Sequence, residues 1–500
     1  MTNSKKAKMN FLLSLIYQIT AIALGLLVPK LTMTEYGSDV NGLVNSVNQF
    51  VAYLIVFEAG IQVVAVQALY KNVANGDHVA MNSILAAVNE KYKAIGICYF
   101  CTLSMLSAIM PLIVHNEGIS YATVFFVTFF SGLSNVVLFF FHGKYRIMLT
   151  VEGKSYFIYI LNIITTVLNH GIKIVLIIMR VSIVWVVFGS FVISLIPSCL
   201  IILYISKKYK WIDLKVKPNK EALSQNKEAL FHQIAGLVFS NTDILLLTVF
   251  CDLKIVSVYT VYKLVCDYIF SFSKMPFDSV SFRLGQLYNS NKEKFKQIIF
   301  DVELGSSMIA FSLFSVCICL IIPFIGIYTS GIKDINYIDY RVAVLFVISE
   351  ILNIIRIPML STINYAGHFR QTLPQSLLET IINLSVSVLG VIHLGIYGVL
   401  IGTIVALLYR TVEIIIYANK KLIQRKWCET FTLYISESLI MVCIYAAYRM
   451  IAPPVTSLIG FAVHGIVLSV VSFVMYFLFA LLFFKPQITH FLQIIMKRKV

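Results

Sequence analysis

The sequence predicts an all-α, polytopic membrane protein of about fourteen transmembrane helices: two pseudo-symmetric six-helix lobes plus two C-terminal helices. Three observations lead there. Of its 500 residues 59% are hydrophobic and only 13% charged, and mean hydropathy is +0.86; soluble domains run about 45–50% apolar and about 25% charged. Apolar stretches of roughly 20 residues, each able to span about 30 Å of hydrocarbon as a helix, recur along the whole length. Basic residues alternate between dense and sparse segments in step with those stretches.

The spans fall near 10–30, 42–66, 93–114, 119–141, 156–178, 183–205, 229–250, 255–279, 298–326, 338–361, 373–393, 396–418, 431–452 and 457–483. Backbone groups in lipid must be satisfied internally, so these are helices. The N-terminus has basic residues ahead of an apolar run, like a signal peptide, but that run is too long for a signal core and reads as the first span. With both termini in the cytoplasm, the inside segments hold 29 lysines and arginines. Outside loops hold six: Lys30, Arg180, Lys254, Lys333, Arg341 and Arg449. The formal charge of +16 is thereby explained as a topology signal and not as a nucleic-acid patch.

No loop is long enough for a soluble domain. The longest, 206–228, is basic and carries Pro218, and it reads as a cytoplasmic linker. It separates an N-terminal six-helix lobe (1–205) from a C-terminal one (229–418); two further helices and a basic tail occupy 419–500. A weak internal repeat agrees: Gln67–Tyr70 resembles Gly285–Tyr288, and Glu152-Gly153-Lys154 resembles Ala366-Gly367-His368. Repeated halves of this kind are a common transporter architecture.

The stretch 261–278, VYKLVCDYIFSFSKMPFD, sets Lys263, Asp267, Lys274 and Asp278 in a run otherwise fit to cross a bilayer. At about 100° per residue they fall near 0°, 40°, 20° and 60°, one narrow stripe. Each Lys–Asp pair is an i,i+4 neighbour pair, and Pro276 is expected to bend the last turn. Such a stripe against lipid would cost several kcal/mol per group, so it must face protein or a wet cavity. Two readings stand: a cavity wall toward an anionic cargo, or self-paired clamps to neighbouring helices, the latter fitting Asp278 best. Polar arcs on span one (Asn10, Ser14, Tyr17, Gln18) and span two (Asn41, Asn45, Asn48, Gln49) are matching cavity faces or ordinary packing.

Lys173, Lys263, Lys274, Arg356 and Arg410 form the candidate substrate-binding set, suited to an anion. Asp267, Asp243 and Glu58 form the candidate ion-coupling or charge-balancing set. Further acids within spans are Glu350, Glu379, Glu413 and Glu437. Arg410 and Glu413 are i,i+3 partners, whereas Lys173 and Arg356 have no opposite charge at i±3 or i±4 and are the better cavity candidates. Cys98 and Cys101 have CxxC spacing but neither a second pair nor a nearby histidine, so no metal or cofactor is expected. The motifs HExxH, GxSxG, GxGxxG and the P-loop are absent, and His115, His170 and His393 are isolated. The chain is not expected to be an enzyme.

The segments NTDILLL (241–247), DLKIVSVYTVYKL (252–264) and YGSDVNGLVNSVNQFVAYLIVFEAGIQVVAVQALY (36–70) resemble parts of the O-antigen and capsule repeat-unit flippases. That family belongs to the multidrug/oligosaccharidyl-lipid/polysaccharide exporter superfamily. The resemblance implies a bacterial cytoplasmic-membrane protein that moves undecaprenyl-pyrophosphate-linked oligosaccharide from the inner to the outer leaflet by alternating access. It also implies membrane lipids as surroundings, a proton or sodium ion as candidate coupling cation, and polysaccharide polymerase machinery as a candidate partner. Asp243 matches the acidic residue that opens the second lobe, and Lys263 lies in the helix after it. The alternatives are a multidrug or other small-molecule exporter of the same superfamily and a membrane polysaccharide polymerase or acyltransferase. Five cations within spans would repel cationic drugs, and the short outside loops offer little room for an enzyme site.

The charge asymmetry makes a direct prediction. In a cysteine-free background, a cysteine at Asn219 should resist an impermeant thiol reagent in intact cells, and one at Asn336 should react. The reverse labelling would overturn the orientation.

Overall fold

The computed structural model describes residues 3–489 apart from 59–60, 115, 117, 224–241 and 454. Among these, twelve helices are long and apolar enough to cross a membrane, and no strand occurs; the chain is a multi-pass membrane protein. Two expected spans are missing from the twelve. Of 229–250, only 242–250 lies within the described residues. The expected continuous helix over 42–66 is instead α2 (Ser38–Leu54), a 3-10 turn (Ile55–Glu58) and α3 (Ile61–Asn75). Glu58 ends that turn and accepts a hydrogen bond from Tyr92 Oη at 2.7 Å.

The remaining helices of the first unit (Met1–Ser257) are α1 (Asn3–Tyr36), α4 (His78–Ile113), α5 (Tyr121–Val137), α6 (Gly143–Val151), α7 (Ser155–Ile178), α8 (Ile183–Lys208) and α9 (242–250). In this unit α1 packs on α7, α4 on α5, and α8 on both α5 and α7. A π-helical turn, Leu138–His142, joins α5 to α6, so the fourth span continues to Val151. Lys144 and Arg146, read from sequence as lying in an inside loop, are therefore helical.

α2 packs along 242–257 within this unit. Asn41 Nδ2 donates to Ser257 Oγ at 2.7 Å, and Ser46 and Thr248 hydroxyls meet at 2.7 Å, as do those of Tyr53 and Thr242 at 2.8 Å. A Cβ on Gly42 would lie 2.0 Å from the Leu253 carbonyl oxygen, so only glycine permits this approach. The described part of the loop 206–228 is strapped to α4. Trp211 stacks on His78 with centroids 4.1 Å apart, and Asn82 bonds both the Trp211 carbonyl and the Asp213 amide. Beside it Tyr209 sits between Lys154 and Glu152; burial, then the Glu152 carboxylate, pushes its phenol up.

The second unit (Val258–Val500) contains most of α10 (Leu253–Ser290), then α11 (Lys292–Tyr328), α12 (Tyr340–Ile355), α13 (Ile357–Tyr365), α14 (Phe369–Leu394), α15 (Ile396–Tyr417), α16 (Trp427–Ile451) and α17 (Leu458–Phe483). α11 packs against α12, α16 and α17. α10 runs unbroken through Pro276. The span expected at 338–361 breaks at Arg356, because Pro358 opens α13 and has no N–H to continue α12.

The tripeptides that suggested a repeat close α6 and α13 in the same way. Gly153 and Gly367 both have φ +68°. The amides of 153 and 154 bond the carbonyls of Thr150 and Leu149, and those of 367 and 368 bond Asn364 and Ile363. This is the paired 5→2 and 6→1 closure that needs a left-handed residue.

α14 and α15 meet backbone to backbone: a Cβ on Gly398 would lie 2.0 Å from the Gly390 carbonyl, and one on Gly402 2.1 Å from Ser387 Oγ. Gly398→Leu should therefore abolish accumulation in the membrane, costing at least the ~1–3 kcal/mol of overpacking. Gly171→Ala, where an added Cβ meets nothing within 4 Å, should accumulate normally by immunoblot.

Candidate functional site

The charged stripe of α10 is self-paired. Lys263 Nζ lies 3.2 Å from Asp267 Oδ1 and Lys274 Nζ 3.6 Å from Asp278 Oδ2; the four side chains are 29–53% exposed. Partly exposed i,i+4 pairs contribute about 0.3–0.5 kcal/mol, so neither pair is an essential structural clamp.

From Lys263 and Asp267 a ladder of charge continues across the second unit. Glu350 of α12 lies within electrostatic reach of both and of Arg356. Asn353 Oδ1 accepts from Arg356 Nη2 at 2.9 Å. Arg356 Nη1 donates to Glu379 Oε1 at 2.6 Å, and Arg410 Nε lies 3.4 Å from Glu379 Oε2. Arg410 also pairs with Glu413. Glu379 and Arg410 are buried, at 7% and 3% exposure. Arg356, expected to lack a counter-ion, has one on α14, beyond the reach of helical spacing. The ladder holds three cations (Lys263, Arg356, Arg410) against four acids (Asp267, Glu350, Glu379, Glu413), so it is no surplus of positive charge.

The first unit differs. Lys173, five residues before the C-terminal end of α7, is half-buried and makes no hydrogen bond or ion pair among the described residues. One turn before it, buried His170 Nδ1 also has no partner, while Asn169 bonds the Ser190 carbonyl of α8. Elsewhere in this unit Glu58 accepts from Tyr92 and lies near Arg146, and Lys144 Nζ donates to Asn89 Oδ1 at 2.6 Å. Asp243 is buried on α9 within reach of Tyr53. The side chains of Asn10 and Ser14, named in the span-one arc, lie outside the described residues, as does His115.

The structure thus joins Lys263, Asp267, Arg356 and Arg410 through Glu350 and Glu379, and places Lys173, Glu58 and Asp243 in the other unit. Sequence reading missed Arg146, masked by the loop-like HGKYR, and Glu303, which lies buried about three turns inside α11. Among the described residues no group of three His, Cys, Asp or Glu side chains could hold a metal ion. Cys98 and Cys101 are exposed free thiols.

Substitutions separate the two kinds of pairing. The double variant Lys263→Ala/Asp267→Ala should accumulate as wild type. Should Lys263 meet cargo, Lys263→Ala would accumulate but fail to export and Lys263→Arg would retain part; full export by the double variant would exclude that role. Arg410→Ala leaves buried Glu379 and half-buried Glu413 short of a cation, and a cost of about 3–5 kcal/mol should lower accumulation measured by immunoblot.

No protein-family model and no curated protein matches the chain by sequence. Solved structures do match. The lipid II flippase MurJ in an inward closed conformation aligns over 96% of this chain and 100% of its own, with TM-score 0.68 and 14% identity. An inward-facing multidrug resistance MATE family transporter of the MOP superfamily aligns over 80% and 95%, with TM-score 0.59 and 14% identity. The Vibrio cholerae MATE transporter VcmN in its bent form aligns over 87% and 99%, with TM-score 0.51 and 15% identity. At these identities the likeness concerns the fold. The chain has the helical membrane fold that a flippase and multidrug transporters share.

Proposed function

We propose that the protein is a flippase for undecaprenyl-pyrophosphate-linked oligosaccharide repeat units, working from the inner to the outer leaflet of a bacterial cytoplasmic membrane with both termini inside. The observation that carries this reading is Lys173, a cation within a membrane span that has no counter-ion among the described residues. An unpaired charge in low dielectric is costly, and a pyrophosphate is the kind of ligand that removes the cost. Unpartnered His170 offers a second hydrogen-bonding atom one turn away. The fold of a lipid II flippase and the resemblance of 36–70 and 241–264 to repeat-unit flippases support the same cargo class. In this reading Lys173 receives the anion first. Lys263 and Lys274 are exchangeable helpers, and Arg356 and Arg410, engaged with Glu379, hold the second unit together. Asp267, Asp243 and Glu58 balance charge.

The second reading, export of small cationic molecules, draws on the multidrug neighbours and on the acid excess of the ladder. A deletion strain separates the two: accumulation of lipid-linked repeat units on the cytoplasmic face supports the flippase, and dye sensitivity without that accumulation supports the exporter. In the complemented strain Lys173→Ala should accumulate normally yet lose export by roughly 10- to 100-fold, the equivalent of one charge-assisted hydrogen bond of about 1.5–3 kcal/mol. Lys173→Arg should keep part of it. Normal export by Lys173→Ala would remove this residue from the cargo site.

A further inference from the structure

α11 and α16 enclose a charged cluster that the ladder does not use. Glu303 and Ser307 lie one turn apart on α11, and Tyr434 and Glu437 one turn apart on α16. Hydrogen bonds cross between them. Tyr434 Oη lies 3.0 Å from Glu303 Oε1, and Ser307 Oγ lies 2.9 Å from Glu437 Oε1. Arg425, just before α16, donates from Nη2 to Glu303 Oε2 at 2.6 Å. Both glutamates are 0% exposed, and Glu437 Oε2 has no partner. From α17, Tyr476 Oη donates to the Glu437 carbonyl, and α12 adds Ile354 and Ile355, whose Ile355 carbonyl lies 3.0 Å from Tyr434 Oη.

Charges come up one short and hydrogens two. Tyr434 has one hydroxyl hydrogen for both Glu303 Oε1 and the Ile355 carbonyl. Glu303 already holds Arg425, so Glu437 is the better place for a proton. The Ser307 hydroxyl has a single hydrogen, yet two acceptors lie in reach, Glu437 Oε1 and the Leu304 carbonyl at 3.1 Å. A proton on Glu437 lets the acid donate to Ser307 Oγ while Ser307 donates to Leu304. The same proton turns two carboxylates and one guanidinium into a neutral cluster, as burial demands. A route to this site exists. Ser273 and Lys274 of α10, with Glu303, Ser306, Ser307 and Tyr434, line a space of about 10 Å³ for the centre of a water molecule, room for roughly one water. Ser273 Oγ, 1% exposed, lines it without a partner. Lys274 in turn reaches the half-exposed Asp278.

We propose that Glu437 is a proton-binding site, filled from the Lys274–Asp278 end through the cavity water and Ser307, and that its filling and emptying couples a proton to transport. A hydronium in the cavity gives a proton to Ser307 Oγ as Ser307's own hydrogen passes to Glu437 Oε1. This leaves water, an intact hydroxyl and a neutral acid. The charged and titratable groups facing Glu437 are Glu303, Arg425, Tyr434 and Tyr476, with Lys274 across the cavity. Coupling rests on the transport reading; proton binding does not.

Infrared difference spectra of the full-length protein in membranes read the carbonyl stretch of a protonated carboxyl group. Wild type and Lys173→Ala should both gain such a band on acidification, and Glu437→Gln should lack it. In membrane vesicles, movement of lipid-linked repeat units by wild type should respond to an imposed pH gradient, and Glu437→Gln should accumulate but lose that response. A retained band in Glu437→Gln, an unchanged gradient response, or a response to sodium in place of protons would overturn the proposal. So would failure of Glu437→Gln to accumulate, since an amide replaces a neutral acid in shape and only a charged carboxylate would refuse it. A titrating band in a protein whose deletion leaves lipid-linked repeats undisturbed would sink the cargo reading and spare the proton site.

Discussion

Glu379 carries an arginine on each carboxylate oxygen, and the packing of α12 to α15 depends on that clamp. The carboxylate is buried, so its charge is tolerable only with both partners in place. One of them, Arg356, is the residue at which α12 ends, so the Pro358 break is also what aims a guanidinium at α14. The other, Arg410, comes from α15. It can reach Glu379 because Gly390, Gly398 and Gly402 let α14 and α15 touch backbone to backbone. A bulky residue at Gly398 would separate the helices and strand the carboxylate. Two arginines on one carboxylate leave an extra positive charge, and Glu413 on Arg410 absorbs it.

The first unit repeats the helix order with a different charge plan. Counting back from Gly153 and Gly367, which close α6 and α13 identically, His142 and Arg356 both stand eleven residues earlier. Each sits where its helix departs from α geometry, and each reaches a later helix. His142 Nδ1 meets Ser198 Oγ of α8 at 2.7 Å, and Arg356 meets Glu379. A helix irregularity frees backbone groups and redirects a side chain. In one half that freedom supports a neutral hydrogen bond and in the other an ion pair. The acids at the ends of α7, Glu152 and Glu35, pair with Lys154 and Arg180, and among the described residues none pairs with Lys173.

How far these features could be read ahead of the fold follows from the range of each interaction. The α10 pairs were visible because helical spacing alone brings Lys263 to Asp267. The lack of a helical partner for Lys173 was equally visible, and no tertiary neighbour among the described residues supplies one. Arg356 looked the same on the page, yet Glu379 is 23 residues away along the chain, and only the α12–α14 packing reveals it. Arg146 and Lys144 were hidden by a hydropathy minimum at HGKYR, which reads as a loop although the π turn carries the helix through it. Glu303 was hidden by its place near the start of the expected span 298–326, where an acid resembles an interfacial residue. Its partner Arg425 lies 122 residues away.

Pairing also determines which charges can respond to a ligand. For Lys263 to bind an anion it must loosen Asp267, and for Arg410 to do so it must abandon Glu379 and Glu413; each exchange surrenders one attraction for another. Lys173 has no ion pair to give up among the described residues, so in the proposed reading an anion meets less competition there than at Lys263 or Arg410. Only a difference in affinity can shift a conformational equilibrium, since a ligand that interacts equally with two states moves neither. Under the proposed function, a charge without a protein partner is the place where an anionic ligand has most to add. The neutralised ladder of the second unit is suited to remain the rigid body.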